Sequence, residues 1–244
     1  MPPKKSSSND GVAKATAVIK DNAVTDWYGK IPDKMKKKYH NPAYKKHLIK
    51  IPFRMLVVGA SGAGKSQLAL EIIKRMKGTF ELIILCVKSA HEPLYEFLRS
   101  KLSEDQLKIY EGIENVPPLE MLQQHGGQIL AIFDDLVLEK NQAIIGEYFI
   151  RGRKVADGVS CLYLSQSYYR SPKLIRVNCN YIALKKLSSE RDLNTILSEF
   201  SLGIDKATLL RMYKHATSEQ RSFLLVDIDE TPEKRFRKNF LELL

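Results

Sequence analysis

From Ile51 onward the apolar residues fall into short unbroken runs, separated by stretches in which they recur every three or four positions. The runs Arg54–Gly59 (RMLVVG), Phe80–Val87, Gln128–Asp134 (QILAIFD), Val159–Ser165 (VSCLYLS), Tyr181–Leu187 and Arg221–Asp227 (RSFLLVD) have the length of strands. Helical spacing predicts helices over Lys65–Lys77, about Pro93–Lys101, Gln142–Arg153, Glu190–Phe200 and Lys206–His215. A shorter one over Pro117–Gln124 stops at Gly126-Gly127, and a basic tail follows the final strand. Continuous apolar strands that alternate with amphipathic helices imply a mostly parallel sheet covered on both faces. The expected fold class is α/β, as one domain over residues 51–244.

The first 50 residues break this pattern. Residues 1 to about 25 are rich in Lys, Ser, Ala, Asp and Asn and read as a mobile, partly disordered arm. Trp27, Tyr28, Tyr39 and Tyr44 then stand among lysines, broken by Pro32 and Pro42. That segment fits either an irregular piece packed on the main domain or a strap that stacks nucleic-acid bases. Residues 1–50 hold 12 lysines against four aspartates, so they carry +8 of the chain's net +11. A basic arm on a nearly neutral domain points to a polyanionic partner, nucleic acid before an anionic surface; a merely solubilising tail is the plain alternative.

Other classes are excluded by composition. No apolar run approaches the roughly 18 residues that span a bilayer, and no apolar stretch of signal-peptide type follows the basic N-terminus. A soluble intracellular protein is expected. Cys86, Cys161 and Cys179 lie far apart without a C-x-x-C pair, which predicts reduced, buried thiols.

The chemistry is concentrated in three places. Gly59-Ala60-Ser61-Gly62-Ala63-Gly64-Lys65-Ser66 matches G-x-x-x-x-G-K-[ST] at every fixed position, between a predicted strand and a predicted helix. Glycines there let successive N–H groups turn inward on phosphate oxygens, aided by the helix N-terminus. Lys65 is then a β/γ-phosphate contact and Ser66 a Mg²⁺ ligand, with ATP as the nucleotide. Asp134-Asp135 end a buried strand: Asp134 is the expected second Mg²⁺ contact and Asp135 the expected base for an attacking water. Gln166 closes the next strand, where an amide can touch both the water and the γ-phosphate. Arg151 and Arg153 end a helix; favourable interaction with its C-terminus and a trans-acting arginine finger are equally open.

GASGAGKS, ILAIFDDL, IRGRK and YLSQSYYRSPKLIRVNCNY together resemble the DNA-packaging ATPases of large eukaryotic DNA viruses and virophages, within the FtsK–HerA superfamily. The resemblance covers roughly Ile51 to Leu187. It implies a RecA-like P-loop NTPase of the additional-strand type, and the 69 positions from Lys65 to Asp134 leave room for the extra strand. It also implies a homo-oligomeric ring, hexamer or pentamer, with double-stranded DNA in its pore, capsid proteins as partners, and a place in the host cell's cytoplasmic virus factory or the virion. Carried over by position, Lys65 and Ser66 contact phosphate and metal, Asp134 the metal, Asp135 is the catalytic carboxylate, Gln166 the sensor, and Arg151 or Arg153 the trans finger. Cellular members place Glu where this chain has Asp135. Two other functions fit the cradle: an assembly protein that uses ATP only to hold a ring, and a phosphotransferase of nucleoside-kinase type.

Overall fold

The structure is a computed structural model that describes residues 24–199 and 204–244. The chain divides into two units, up to Lys38 and from Tyr39 to Leu244. The arm expected over residues 1 to about 25 lies, apart from its last two residues, outside the described residues. Of the first unit, Trp27–Lys30 form one helical turn, capped by Asp26 accepting from the Gly29 N–H at 2.9 Å. Trp27 and Tyr28 are 70% and 82% exposed there.

The second unit is built on a nine-stranded sheet. In chain order its strands are β1 Arg54–Val58, β2 Leu82–Val87, β3 Leu107–Glu111, β4 Ile129–Asp134, β5 Val159–Ser165, β6 Tyr181–Leu184, β7 Leu224–Asp227, β8 Phe236–Lys238 and β9 Glu242–Leu243. They lie side by side as β3-β2-β4-β5-β1-β6-β7-β8-β9. The first six are parallel, and β7, β8 and β9 add antiparallel pairs at one side. Every residue of β2, β4 and β5 is buried, as expected of strands covered on both faces. In the sheet β5 stands between β1 and β4, which is the additional-strand arrangement; the extra strand thus follows Asp134 in sequence rather than preceding it as expected, and the stretch between Lys65 and Asp134 holds β2 and β3 instead.

Alternation along the strands splits the core in two. Leu56, Val58, Phe133 and Tyr163 face one side, where they meet α3 (Ala143–Arg151), α4 (Lys173–Asn178), α5 (Glu190–Glu199) and α6 (Lys206–Ala216). Met55, Val57, Ile132 and Leu164 face the other, against α1 (Lys65–Arg75) and α2 (Pro93–Arg99). Phe133 meets Tyr148 edge to face at 5.2 Å, so β4 is seated firmly on α3 just before its acidic end. Cys86, Cys161 and Cys179 are buried free thiols.

Several expected elements come out differently. The helix expected over Pro117–Gln124 is a 3-10 segment, Leu119–Leu122, and α3 ends at Arg151 with a 3-10 turn Gly152–Lys154 behind it. The basic tail after β7 is not a solvated tail. It forms α7 (Pro232–Arg235), β8 and β9, and β8 is buried along its length. Two of its cations are neutralised in place: Arg237 meets Asp227 at 3.1 Å and Lys238 meets Glu219 at 2.5 Å.

Residues 39–50 are fastened to this unit by backbone groups. Gln128 accepts from the His40 N–H at 2.7 Å and donates to the His40 carbonyl at 2.9 Å. Arg75 and Arg237 donate to the carbonyls of Lys46 and Leu48. His47 is fully buried, and its Nδ1 accepts from the Ile49 N–H at 3.0 Å. Burial, then Arg75 and Arg237, lower its pKa from 6.5 to about 4. Between those values the unfolded chain binds a proton that the folded chain refuses, so stability falls as pH falls through that window, by up to about 3 kcal/mol. Urea unfolding at pH 7 and pH 4.5 checks this. His47→Asn, whose Oδ1 takes the place of Nδ1 as acceptor for Ile49, is expected to lose less stability over that interval than the parent chain.

Candidate nucleotide site

The parallel strands end, at their C-terminal edge, in a pocket of about 400 Å³ lined by the Ser61–Gln67 turn, Glu92, Asp134, Asp135 and Gln166. The turn Gly59–Ser66 leaves β1 and enters α1 without a side-chain cap, so the helix's first N–H groups stay open toward this space. Gly62 and Gly64 adopt φ of +75° and +83°, a backbone region that glycine enters without the usual steric cost. Gly59 is required for a different reason: a Cβ there would come within 2.7 Å of the Lys185 Cβ. A curled loop of inward N–H groups at a helix N-terminus is an anion cradle of positive potential.

The other charged groups converge on it. The Lys65 ammonium donates to the carbonyls of Gly59 and Ala60, both at 3.1 Å, and so lies across the loop it must serve. Burial lowers its pKa, and the charges of Asp134 and Asp135 work in the opposite sense. Asp134, almost completely buried, accepts from the Ser66 hydroxyl at 2.7 Å and from the Tyr95 hydroxyl at 2.5 Å through the same oxygen. Burial and the Asp134 carboxylate push the Tyr95 phenol upward, so Tyr95 acts as a fixed donor. Asp135 is exposed and has φ +58°, a left-handed conformation that costs an acidic residue less than most and that concentrates at working sites. Gln166 Nε2 donates to Asp135 Oδ1 at 3.4 Å. Glu92 is held above its usual pKa by burial and then by Asp134 and Asp135.

Gly59, Ala60, Ser61, Gly62, Ala63, Gly64, Lys65, Ser66, Asp134, Asp135 and Gln166 are thus brought to one edge of the sheet. Arg151 and Arg153 are not. Val159 and Ile129, the first residues of β5 and β4, are in register, so the turn that feeds β5 lies at the N-terminal edge, opposite the cradle. Arg151 is exposed there beside Glu120 at 3.3 Å and Glu147 at 3.7 Å. Neither arginine can reach the cradle of its own chain.

Three residues join the site that the sequence did not single out. Tyr95 and Glu92 sit at the start of α2, where helical spacing marks Tyr95 only as a core position. Lys185 follows β6 and is buried, donating to the Arg221 carbonyl at 2.5 Å; burial, Arg221 and Lys65 lower its pKa to about 8. A lysine that closes an apolar run (YIALK) is the signal that could have found it.

Known proteins resemble this chain in sequence or in fold. The DNA packaging protein OPG160 of Vaccinia virus (strain Copenhagen) is 26% identical over 198 residues, covering 75% of this chain and 72% of the relative. That of Variola virus is 25% identical with the same coverage. Among solved structures, the genome packaging NTPase B204 from Sulfolobus turreted icosahedral virus 2, in complex with ATP-gammaS, superposes with a TM-score of 0.56 at 17% identity, over 80% of this chain and all of that one. EssC (ATPases 2 and 3) from Geobacillus thermodenitrificans gives 0.52 at 10% identity, over 79% of this chain and 40% of that one. The fold is that of the P-loop NTPases. The family model described as Poxvirus A32 protein matches residues 41–231, and the chain belongs to that family.

Proposed function

We propose that this protein is an ATPase that translocates double-stranded DNA and packages a viral genome into its capsid. The observation that carries the chemistry is the 2.7 Å contact between Ser66 and Asp134 at the mouth of the cradle, with Asp135 and Gln166 alongside. Membership in the family and the likeness to DNA packaging proteins support the direction of the work.

The open N–H groups of Gly62, Gly64, Lys65 and Ser66, with the Lys65 ammonium, bind the phosphates of ATP, while the Gly59 and Ala60 N–H groups stay bonded to the Ser165 and Lys186 carbonyls. A hydroxyl and a carboxylate held together suit a hard, oxygen-preferring cation, so Ser66 and Asp134 are the residues to hold Mg²⁺. That ion would neutralise charge on the phosphate oxygens. Tyr95 fixes the Asp134 carboxylate. A water aligned by Gln166 gives its proton to Asp135 as its oxygen bonds to the γ-phosphorus and the bond to the β-phosphate oxygen breaks, leaving ADP and phosphate. In this reading Arg151 and Arg153, on the opposite edge, serve a neighbouring copy's site within a homo-oligomeric ring that holds DNA at its centre and docks on capsid proteins. The working place is the virus factory and the assembling particle. Among the described residues no helix is long and apolar enough to cross a membrane.

Tyr95→Phe is expected to fold normally and to weaken Mg-ATP binding by roughly tenfold, the usual scale for losing a group that orients a metal-site carboxylate. Calorimetric titration checks this. Duplex DNA is expected to raise steady-state ATP turnover of the assembled protein by roughly tenfold or more, because a site completed by a neighbour's arginine is slow until the ring is engaged. Turnover indifferent to DNA, in protein of verified assembly, would remove the motor reading.

A further inference from the structure

Gln166 can align a water only if the chain around it is held still. It follows β5, is exposed, and bonds through Nε2 to Asp135 at 3.4 Å. The chain folds back on itself around it. The Ser165 hydroxyl donates to the Ser167 carbonyl at 2.8 Å and accepts from the Ser167 N–H at 3.3 Å, so the residues on either side of Gln166 are tied together. The Ser171 hydroxyl donates to the same carbonyl at 2.8 Å. These bonds shape the turn, and its outer side is held by α5. Asp192, in the first turn of that helix, is only 4% exposed, and its Oδ1 accepts from the Ser167 hydroxyl at 3.0 Å and from the Tyr169 N–H at 2.9 Å. The Arg191 guanidinium lies 3.6 Å over the Tyr169 ring. In the last turn, Glu199 takes the Tyr168 hydroxyl and, at 2.5 Å, the Arg176 guanidinium. Both ends of α5 therefore grip the segment after Gln166, and Asp192 grips it at the residue next to the glutamine.

A buried carboxylate is costly unless hydrogen bonds replace its water, and both bonds to the Asp192 Oδ1 come from the turn that carries Gln166. An acid in the first turn also suits the positive end of a helix. That interaction needs neither burial nor a particular partner, and a solvent-facing acid on the same turn would supply it. What the two bonds add is constraint on the residues one and three places after Gln166. A displacement of about 1 Å at a reacting group can cost roughly 10²-fold in rate.

We propose that Asp192 is a positioning residue for hydrolysis: through Ser167 and Tyr169 it sets the place of the Gln166 amide beside Asp135. It can act in this way only if Gln166 aligns the attacking water, the role given to it under the proposed function. Asp192→Ala in the full chain is expected to lower kcat for ATP by roughly 10- to 100-fold and to leave KM within about twofold of the parent, because the cradle and the Ser66–Asp134 contact are untouched. Asp192→Asn, whose Oδ1 can accept both bonds, is expected to return kcat to within about threefold of the parent. In a Gln166→Ala chain, adding Asp192→Ala should lower kcat no further, since the group it positions is gone. A residue that merely holds the fold costs as much in one background as in the other. Asp192→Ala that keeps the parent's kcat, or that multiplies the loss caused by Gln166→Ala, would overturn the proposal alone. Gln166→Ala with the parent's kcat would overturn it together with the role of Gln166 in the reaction. Ser167→Ala keeps the question open to measurement if Asp192→Ala does not fold. It deletes only the hydroxyl bonded to Asp192, and is expected to lower kcat roughly fivefold in the parent chain and not at all beside Gln166→Ala. No loss, or an equal loss in both backgrounds, would contradict the proposal.

Discussion

Lys65→Ala is expected to lower kcat/KM for ATP by roughly 10³-fold, the upper end of what one positioned charge contributes at a developing oxyanion. Lys65 is the cation of the cradle whose ammonium already spans the loop, bonded to Gly59 and Ala60, so it needs little reorganisation to meet the β- and γ-phosphates. Its removal leaves the N–H groups of α1 intact, so weak nucleotide binding should survive. The fold should survive too, because the ammonium's partners are loop carbonyls at the surface of the pocket rather than core groups. Steady-state phosphate release, with circular dichroism as the folding check, measures this. Activity within tenfold of the parent would mean that the phosphates are held elsewhere.

Asp135→Asn is expected to separate binding from hydrolysis: turnover should fall by roughly 10²- to 10⁴-fold, the range of a lost general base. Mg-ATP affinity should change by no more than about threefold, since Asp134 keeps both of its bonds to Ser66 and Tyr95. Asparagine has the same shape and tolerates the left-handed backbone at this position, so stability is expected to hold. This variant also separates a motor from an assembly protein that uses ATP only as a latch. A motor bearing it should stop packaging while still binding ATP, whereas a latch should work as before. The 3.4 Å contact with Gln166 places the Asp135 oxygen beside the next strand's polar end.

Much of this was legible in the chain because its causes are local. Unbroken apolar runs such as LIILCV and ILAIFD, of strand length and rich in β-branched residues, suit strands covered on both faces, and β2 and β4 are buried along their whole length. GASGAGKS carries its own geometry, since its glycines serve positions with positive φ or no room for a Cβ. What escaped depends on partners distant in sequence. The edge strand β3, LKIYE, is only partly buried and alternates with charged residues, so no apolar run marks it. The buried strand FRK reads as a solvated tail until Asp227 and Glu219 arrive to neutralise it. Tyr95 looks like an ordinary core aromatic, and only the folded chain brings its hydroxyl to Asp134, 39 residues away. The opposite placement of Arg151 and Arg153 likewise follows from strand register, which no spacing rule contains.

Everything proposed for the motor requires a triphosphate in the cradle with a metal at Ser66 and Asp134. The direct test is an equilibrium titration of the purified chain with ATP, with and without magnesium, beside Asp134→Ala. The account predicts saturable binding of one nucleotide per chain, tightened by magnesium in the parent and insensitive to it in Asp134→Ala. No uptake of ATP by folded parent protein, or an equal magnesium effect in both proteins, would contradict it.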